Sequence, residues 1–188
     1  MPARFFELNE NVQGGNWYLG DIEKAPGQEV DDPWMFRAGR PIQVQGLLSA
    51  PINEPGKALD FCLAGVGLAP ILHVKLATLF MEMAPDDVQL FPVSIKGQPD
   101  QYVILVATKL FRCIDEQASK VQFWDAEFAP PGREGTYYAV DDMRIDTSKV
   151  GNAKVFRAEG WDIPLIISAD IKESLERLKP TGAKFTPV

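Results

Sequence analysis

Histidine is almost missing from this chain: His73 stands alone, and cysteine occurs only as Cys62 and Cys113. A zinc site or a Ser-His-Asp arrangement would have to use that one imidazole, and no Cys, Asp or Glu stands near it at ligand spacing. His73 therefore reads as a structural residue. The cysteines lie inside "DFCLAG" and "LFRCID", which describes two buried or half-buried thiols in a reducing cytoplasm rather than a disulfide framework. Basic residues are also scarce, 19 Lys and Arg against 26 Asp and Glu, and the resulting net charge of −7 disfavours a phosphate-backbone partner, which needs a basic face. A basic partner would be drawn in instead, fastest at low salt.

Targeting and membrane signals are equally thin. The stretch "MPARFFELNE" carries Glu7 and Glu10 and has neither a continuous apolar core nor a small-residue cleavage site, so no secretory signal is expected. The longest apolar run, Phe61 to Ala84, is interrupted by Gly65, Gly67 and Pro70 and contains His73, Lys75 and Glu82. A charge at a bilayer centre costs roughly 2.5–3.5 kcal/mol, so this run reads as globular core and not as a membrane span.

What is present is an ordinary globular composition, 46% hydrophobic and 24% charged over 188 residues, enough for one full core. The first 57 residues are dense in turn signals ("VQGGNW", "APGQ", "DDPW", "RAGRP", "NEPGK") and read as a strand-and-loop lobe, with extended candidates at 17–22 and 42–48; residues 58–188 read as the main α+β domain. Pro70, with Leu72, Leu76, Leu79, Phe80 and Met83 at helical spacing before Pro85, predicts a helix over 70–83 buried nearly all round. "VQLFPVSI" and "YVILVAT" flank a Gly/Pro-containing loop and predict a hairpin, the second strand central and the first, holding Pro92, at an edge or a bulge. Toward the C-terminus, "VFR" and "WDIPLII" predict two strands about a Glu159-Gly160 turn, and Ser168 predicts the N-cap of a helix from Ala169, with Asp170 in its first turn and an apolar stripe of Ile171, Leu175 and Leu178. Pro180 and Gly182 close that helix ahead of a short strand. The expected architecture is an N-terminal strand and loop lobe plus a mainly antiparallel sheet packed by two principal helices.

The remaining motifs point away from catalysis. Gly65-x-Gly67 lacks the third glycine and a following βαβ unit, so no cofactor site is expected. The pairs Asp31-Asp32, Asp86-Asp87 and Asp141-Asp142 read as turn and solvent residues, because adjacent carboxylates seldom converge on one cleft. Trp161 is expected to pack under the hairpin and Asp162 to hold a turn amide. Acidic residues gather between Cys113 and Val150, at Asp115, Glu116, Asp125, Glu127, Glu134, Asp141, Asp142 and Asp146.

"LDFCLAG", "VKLATLFMEM", "DDVQLFPVSI", "YVILVATKLFRCIDEQAS" and "VFRAEGWDIPLIISADIKESLERLKPTGAKFTPV", in this order, resemble the bacterial immunity-protein family of polymorphic toxin systems, the group typified by a myxobacterial domain first catalogued as of unknown function. The strongest parts are "CIDEQAS" and the "FR-x-x-GWDIPLIIS" hairpin. The resemblance implies a cytoplasmic, non-enzymatic protein, without cofactor or metal, that binds and occludes a cognate toxin encoded beside it. It supplies no catalytic residues, and it casts Trp161, Asp162 and Cys113-Ile114-Asp115 as architectural. An occluding interface buries about 1,200–2,000 Å² around a few aromatic or charged hot spots. Here the candidates are Trp124 with Asp125 and Glu127, and Tyr137 and Tyr138 with Asp141 and Asp142. A small hydrolase would require converging carboxylates or His73 in a pocket, and an oligomeric adaptor would require concentration-dependent self-association.

Overall fold

The computed structural model describes residues 4–25 and 27–188. The first part of the chain supplies β1 (Phe5–Glu10), β2 (Tyr18–Leu19), β3 (Glu23–Ala25), β4 (Gln28–Glu29), a 3₁₀ helix (Pro33–Arg37), β5 (Leu48–Ala50) and β6 (Ile52–Glu54). There follow β7 (Phe61–Ala64), β8 (Ala69–His73), α1 (Val74–Met83), β9 (Val88–Ile95), β10 (Tyr102–Ala107), β11 (Leu110–Phe111), β12 (Lys120–Phe123) and β13 (Tyr137–Asp141). A second 3₁₀ turn (Thr147–Lys149) leads to β14 (Val155–Ala158), β15 (Trp161–Ser168), α2 (Ala169–Leu178) and β16 (Ala183–Pro187).

Two sheets organise the molecule, a seven-stranded one in the order β4-β3-β5-β9-β10-β8-β7 and a five-stranded one in the order β11-β14-β15-β1-β16. Pairing is antiparallel except for β5 with β9 and β11 with β14, so the α+β class with a mainly antiparallel sheet is observed. The early strands are woven into both sheets: β1 lies between β15 and β16, and β5 pairs with β9.

Three apolar layers alternate with these sheets. On the outer face of the seven-stranded sheet Trp17, Leu19, Phe36, Leu48, Ile71 and Ile104 pack together. Between the sheets lie the helices, where Leu72, Leu76, Phe80 and Leu105 meet Leu165, Ile167, Ile171 and Leu175. Beyond the five-stranded sheet Phe5, Phe156 and Ile166 pack with Cys113, Tyr137, Met143 and Ile145. Successive residues of a strand face opposite ways, which explains how Ile104 and Leu105 of β10 enter different layers, as do Leu165 and Ile166 of β15. The unbroken apolar run "YVILVA" is the signature of this two-sided burial.

The helix expected from Pro70 begins later. Residues 69–73 form β8 because Ile71 and Leu72 supply opposite faces of a sheet interior, and α1 starts where the His73 Nδ1 accepts the Lys75 N–H (3.1 Å). Only Leu76, Ala77 and Phe80 of α1 are buried, while Val74, Lys75, Thr78, Met81 and Glu82 are exposed, so the helix is one-sided and not enclosed. Pro92 also departs from expectation, since β9 is an interior strand; its ladder with β5 begins at Val93, one residue after the proline that lacks an N–H. Gly65 and Gly67 shape the β7–β8 turn, and a Cβ on Gly67 would lie 2.0 Å from the Pro33 carbonyl oxygen.

Two carboxylates tie distant segments together. Asp87 is buried, against the turn-and-solvent reading, and accepts the N–H groups of Lys154 (2.7 Å) and Val155 (3.3 Å) at the start of β14. Asp60 receives the Thr181 N–H (2.8 Å) and the Lys75 Nζ (2.7 Å). Burial works against the Asp60 charge, but these bonds outweigh it and hold its pKa below the usual value. In α2, Ser168 stands at the N-cap without capping the helix, its hydroxyl turned to Asp170, and Leu178 of the expected stripe is exposed.

Candidate partner-binding surface

β12 and β13 pair only with each other, joined by the segment 124–136, and lie against the third core layer as a ribbon. A two-stranded ribbon is marginal in water unless one face is packed. The double aromatics Phe123-Trp124 and Tyr137-Tyr138 meet that requirement and leave something over, because neighbours in a strand face opposite ways. Phe123 stacks on Tyr137 (ring centroids 5.2 Å apart), and Trp124 meets Tyr138 edge to face (4.8 Å). Tyr137 is 5% exposed and donates its hydroxyl to Glu116 (2.7 Å); burial and that carboxylate push its pKa up to about 12. Tyr138 is 55% exposed, Phe123 46% and Phe128 73%.

The ribbon is acidic as well as aromatic. Between Cys113 and Val150 eight Asp and Glu face four Lys and Arg, a net −4 of the chain's −7. Asp125 anchors the connecting loop, its Oδ1 accepting the Glu127 N–H (3.0 Å) and its carbonyl the Phe128 N–H (3.0 Å), and Glu127 itself is exposed. Asp141 and Asp142 stand at the opposite end, beyond a four-residue strand of about 13 Å. There Asp142, in the left-handed region (φ 48°), pairs with Lys120 at 2.5 Å. The hydrogen bond between them and their mutual attraction raise the Lys120 pKa and lower that of Asp142, yet both are largely open to water and such pairs add little stability.

The sequence candidates thus share one ribbon but occupy two ends of it. Trp124, Asp125, Glu127, Tyr137 and Tyr138 gather at the loop end, with Tyr137 turned into the core, and Asp141 and Asp142 stand at the other. Phe123 and Phe128 were not among the candidates; Phe123 stacks on the buried Tyr137 yet remains exposed, which its place in the aromatic doublet does not foretell.

Beside the ribbon, the β14–β15 hairpin holds the buried guanidinium of Arg157, 1% exposed. The strands lose register between Ala158↔Trp161 and Phe156↔Ile166, and the Arg157 Nη1 fills the gap, donating to the carbonyls of Asp162 (3.2 Å) and Ile163 (2.7 Å). Burial lowers its pKa to about 9 despite the nearby Asp162. Asp162 does not hold a turn amide as expected; its carboxylate faces Arg37 Nε at 3.6 Å and so links the hairpin to the first 3₁₀ helix. Trp161 packs on the third layer as expected.

A cleft of about 450 Å³ opens between this hairpin and the ribbon, lined by Glu7, Trp161, Ile163 and Pro164 on the sheet side and by 140–144 on the ribbon side. Among the described residues no three His, Cys, Asp or Glu side chains are grouped so as to hold a metal ion, and no helix is long and apolar enough to cross a membrane.

Comparison with known families decides what this arrangement serves: the model of the Immunity protein family (Imm11) matches residues 75–188, more than half of the chain. The chain belongs to this immunity protein family. The match runs from the first turn of α1 to the last residue and contains the ribbon, the hairpin and both helices of this immunity protein. Strand β1 of the five-stranded sheet and strands β3, β4, β5, β7 and β8 of the seven-stranded sheet precede it. Membership points to a toxin as the partner and to a non-enzymatic role. No curated protein matches the chain.

Proposed function

We propose that this immunity protein neutralises a cognate toxin in the cytoplasm of the producing bacterium by forming a stoichiometric complex that occludes it. The ribbon is the docking surface. The observation that carries this reading is the coincidence of exposed rings, Phe123, Phe128 and Tyr138, with the acidic side chains Asp125, Glu127, Asp141 and Asp142 on a unit that belongs to neither large sheet. Aromatics supply the hot spots of an interface, and complementary charge supplies its on-rate and its choice of partner. An occluding protein needs no reacting groups of its own, which agrees with the use of Asp87, Asp60, Asp162 and Arg157 as structural ties.

The test is co-production with the product of the neighbouring open reading frame, followed by titration of the purified pair. A tight complex of fixed stoichiometry with toxin activity abolished is expected. No complex, with toxicity unchanged, would contradict the reading.

A further inference from the structure

Glu7 is oddly placed for a surface carboxylate. It sits on β1, hydrogen-bonded on both sides within the five-stranded sheet, opposite Ile166 of β15 and Thr186 of β16. Its side chain is half-buried at the inner wall of the cleft, with a single hydrogen bond, from Asn9 Nδ2 (3.1 Å). No cation comes within ion-pair distance of it among the described residues. Arg144, the one cation lining the cleft, turns its Nη1 to the carbonyls of Met143 (2.7 Å) and Pro187 (3.4 Å). Asp142 is engaged by Lys120, whereas Asp141, at the rim, has no ion-pair partner among the described residues.

Burial raises the Glu7 pKa, and the Asn9 amide, with Lys184 and Arg157 farther away, only partly offsets this. A carboxylate held partly out of water without a counterion carries a desolvation cost, and a cation entering the cleft relieves it. The other walls suit the stem of a long basic side chain: the Trp161 ring, Ile163, which is itself exposed, Pro164 and Pro187. A guanidinium matches this setting better than an ammonium, because its planar fork pairs with both carboxylate oxygens and stacks on an indole.

We propose that the cleft receives an arginine side chain of the toxin, paired with Glu7 and flanked by Trp161 and Ile163, next to the ribbon. The proposal rests on the toxin-binding reading and adds to it the chemistry of the partner's anchor. Charge complementarity favours this occupant over an apolar or acidic one, since Glu7 and Asp141 of the lining have no ion-pair partner among the described residues, while Asp142 is taken by Lys120 and Arg144 is turned to carbonyls.

The experiment measures binding kinetics of the full-length chain with the toxin domain encoded by the neighbouring open reading frame, for wild type, Glu7→Gln, Ile163→Lys and Tyr138→Ala. Glu7→Gln keeps the shape and removes the charge; Ile163→Lys places the chain's own cation at the cleft. Both are expected to weaken binding about 30-fold or more, chiefly by faster dissociation, while the chain stays folded. If both bind as wild type does while Tyr138→Ala weakens the complex, the arginine anchor is overturned and the toxin-binding reading stands. If wild type itself fails to bind, both readings fall together.

Discussion

β14 and β12 are both four-residue strands, each paired antiparallel with a neighbour in the same half of the molecule, and they treat their side chains in opposite ways. Every residue of β14 is buried, Arg157 included, whereas β12 has no buried residue and leaves Phe123 partly in water. Residue type alone would place the phenylalanine inside and the arginine outside. A buried charge and an exposed ring are the informative exceptions to hydrophobic burial. Arg157 serves the misregistered hairpin through its Nη1, which donates to two carbonyls, a structural task, while its Nε and Nη2 are buried with no hydrogen-bond partner among the described residues. Phe123, Phe128 and Tyr138 are exposed without a comparable bond to the fold, and on the proposal above they belong to the surface that meets the toxin.

The contrast is broken most directly by truncating each side. Phe156→Ala is expected to cost about 3–5 kcal/mol in urea denaturation, as for a fully buried ring, and Phe128→Ala less than about 0.5 kcal/mol. Equal losses would mean that the ribbon is core and not display. In toxin binding the order reverses: Tyr138→Ala should weaken the complex by about 2 kcal/mol while leaving stability nearly unchanged, and Phe156→Ala should act only through unfolding.

Acid titration sharpens the comparison through two carboxylates of opposite sign. The Glu7 pKa is raised in the folded chain, so its ionisation destabilises the fold; this penalty is absent below the ordinary glutamate range and complete above the raised value. Glu7→Gln should therefore stabilise the chain at neutral pH, with the gain vanishing as the pH falls. Asp60 has a lowered pKa, so its contribution is present at neutral pH and lost as the pH falls through the folded value. Asp60→Asn should accordingly destabilise at neutral pH and converge on wild type in acid. Thermal unfolding between pH 3 and pH 7 checks both signs. The smallest effect is expected from neutralising Asp125, Glu127, Asp141 and Asp142 together: slower association and a shallower salt dependence, with dissociation little changed.

Much of this fold was legible where a pattern has one physical cause. The run "YVILVA" needed a two-sided core, and "VFRAEGWDIPLIIS" needed a hairpin running into a helix. The failures share a different cause, namely burial set by distant segments. "FFELNE" gives no clean alternation because β1 contacts different layers through Phe5 and Leu8, and its place between β15 and β16 depends on strands more than 150 residues away. The residues Pro70 to His73 fit helical spacing, yet the sheet claims them through pairing with β7 and β10. Glu7 carried no local signal, since its surroundings are a cleft assembled from four separate stretches.

The most direct test of the ribbon as docking surface is amide hydrogen exchange of the chain alone and in complex with the toxin that it is proposed to neutralise. Protection on binding is expected over residues 120–141 and at the cleft residues Trp161 to Ile163, with the distant strands β3 and β5 unchanged. Protection concentrated on β3, β4 and β5, with residues 120–141 exchanging as in the free chain, would contradict it.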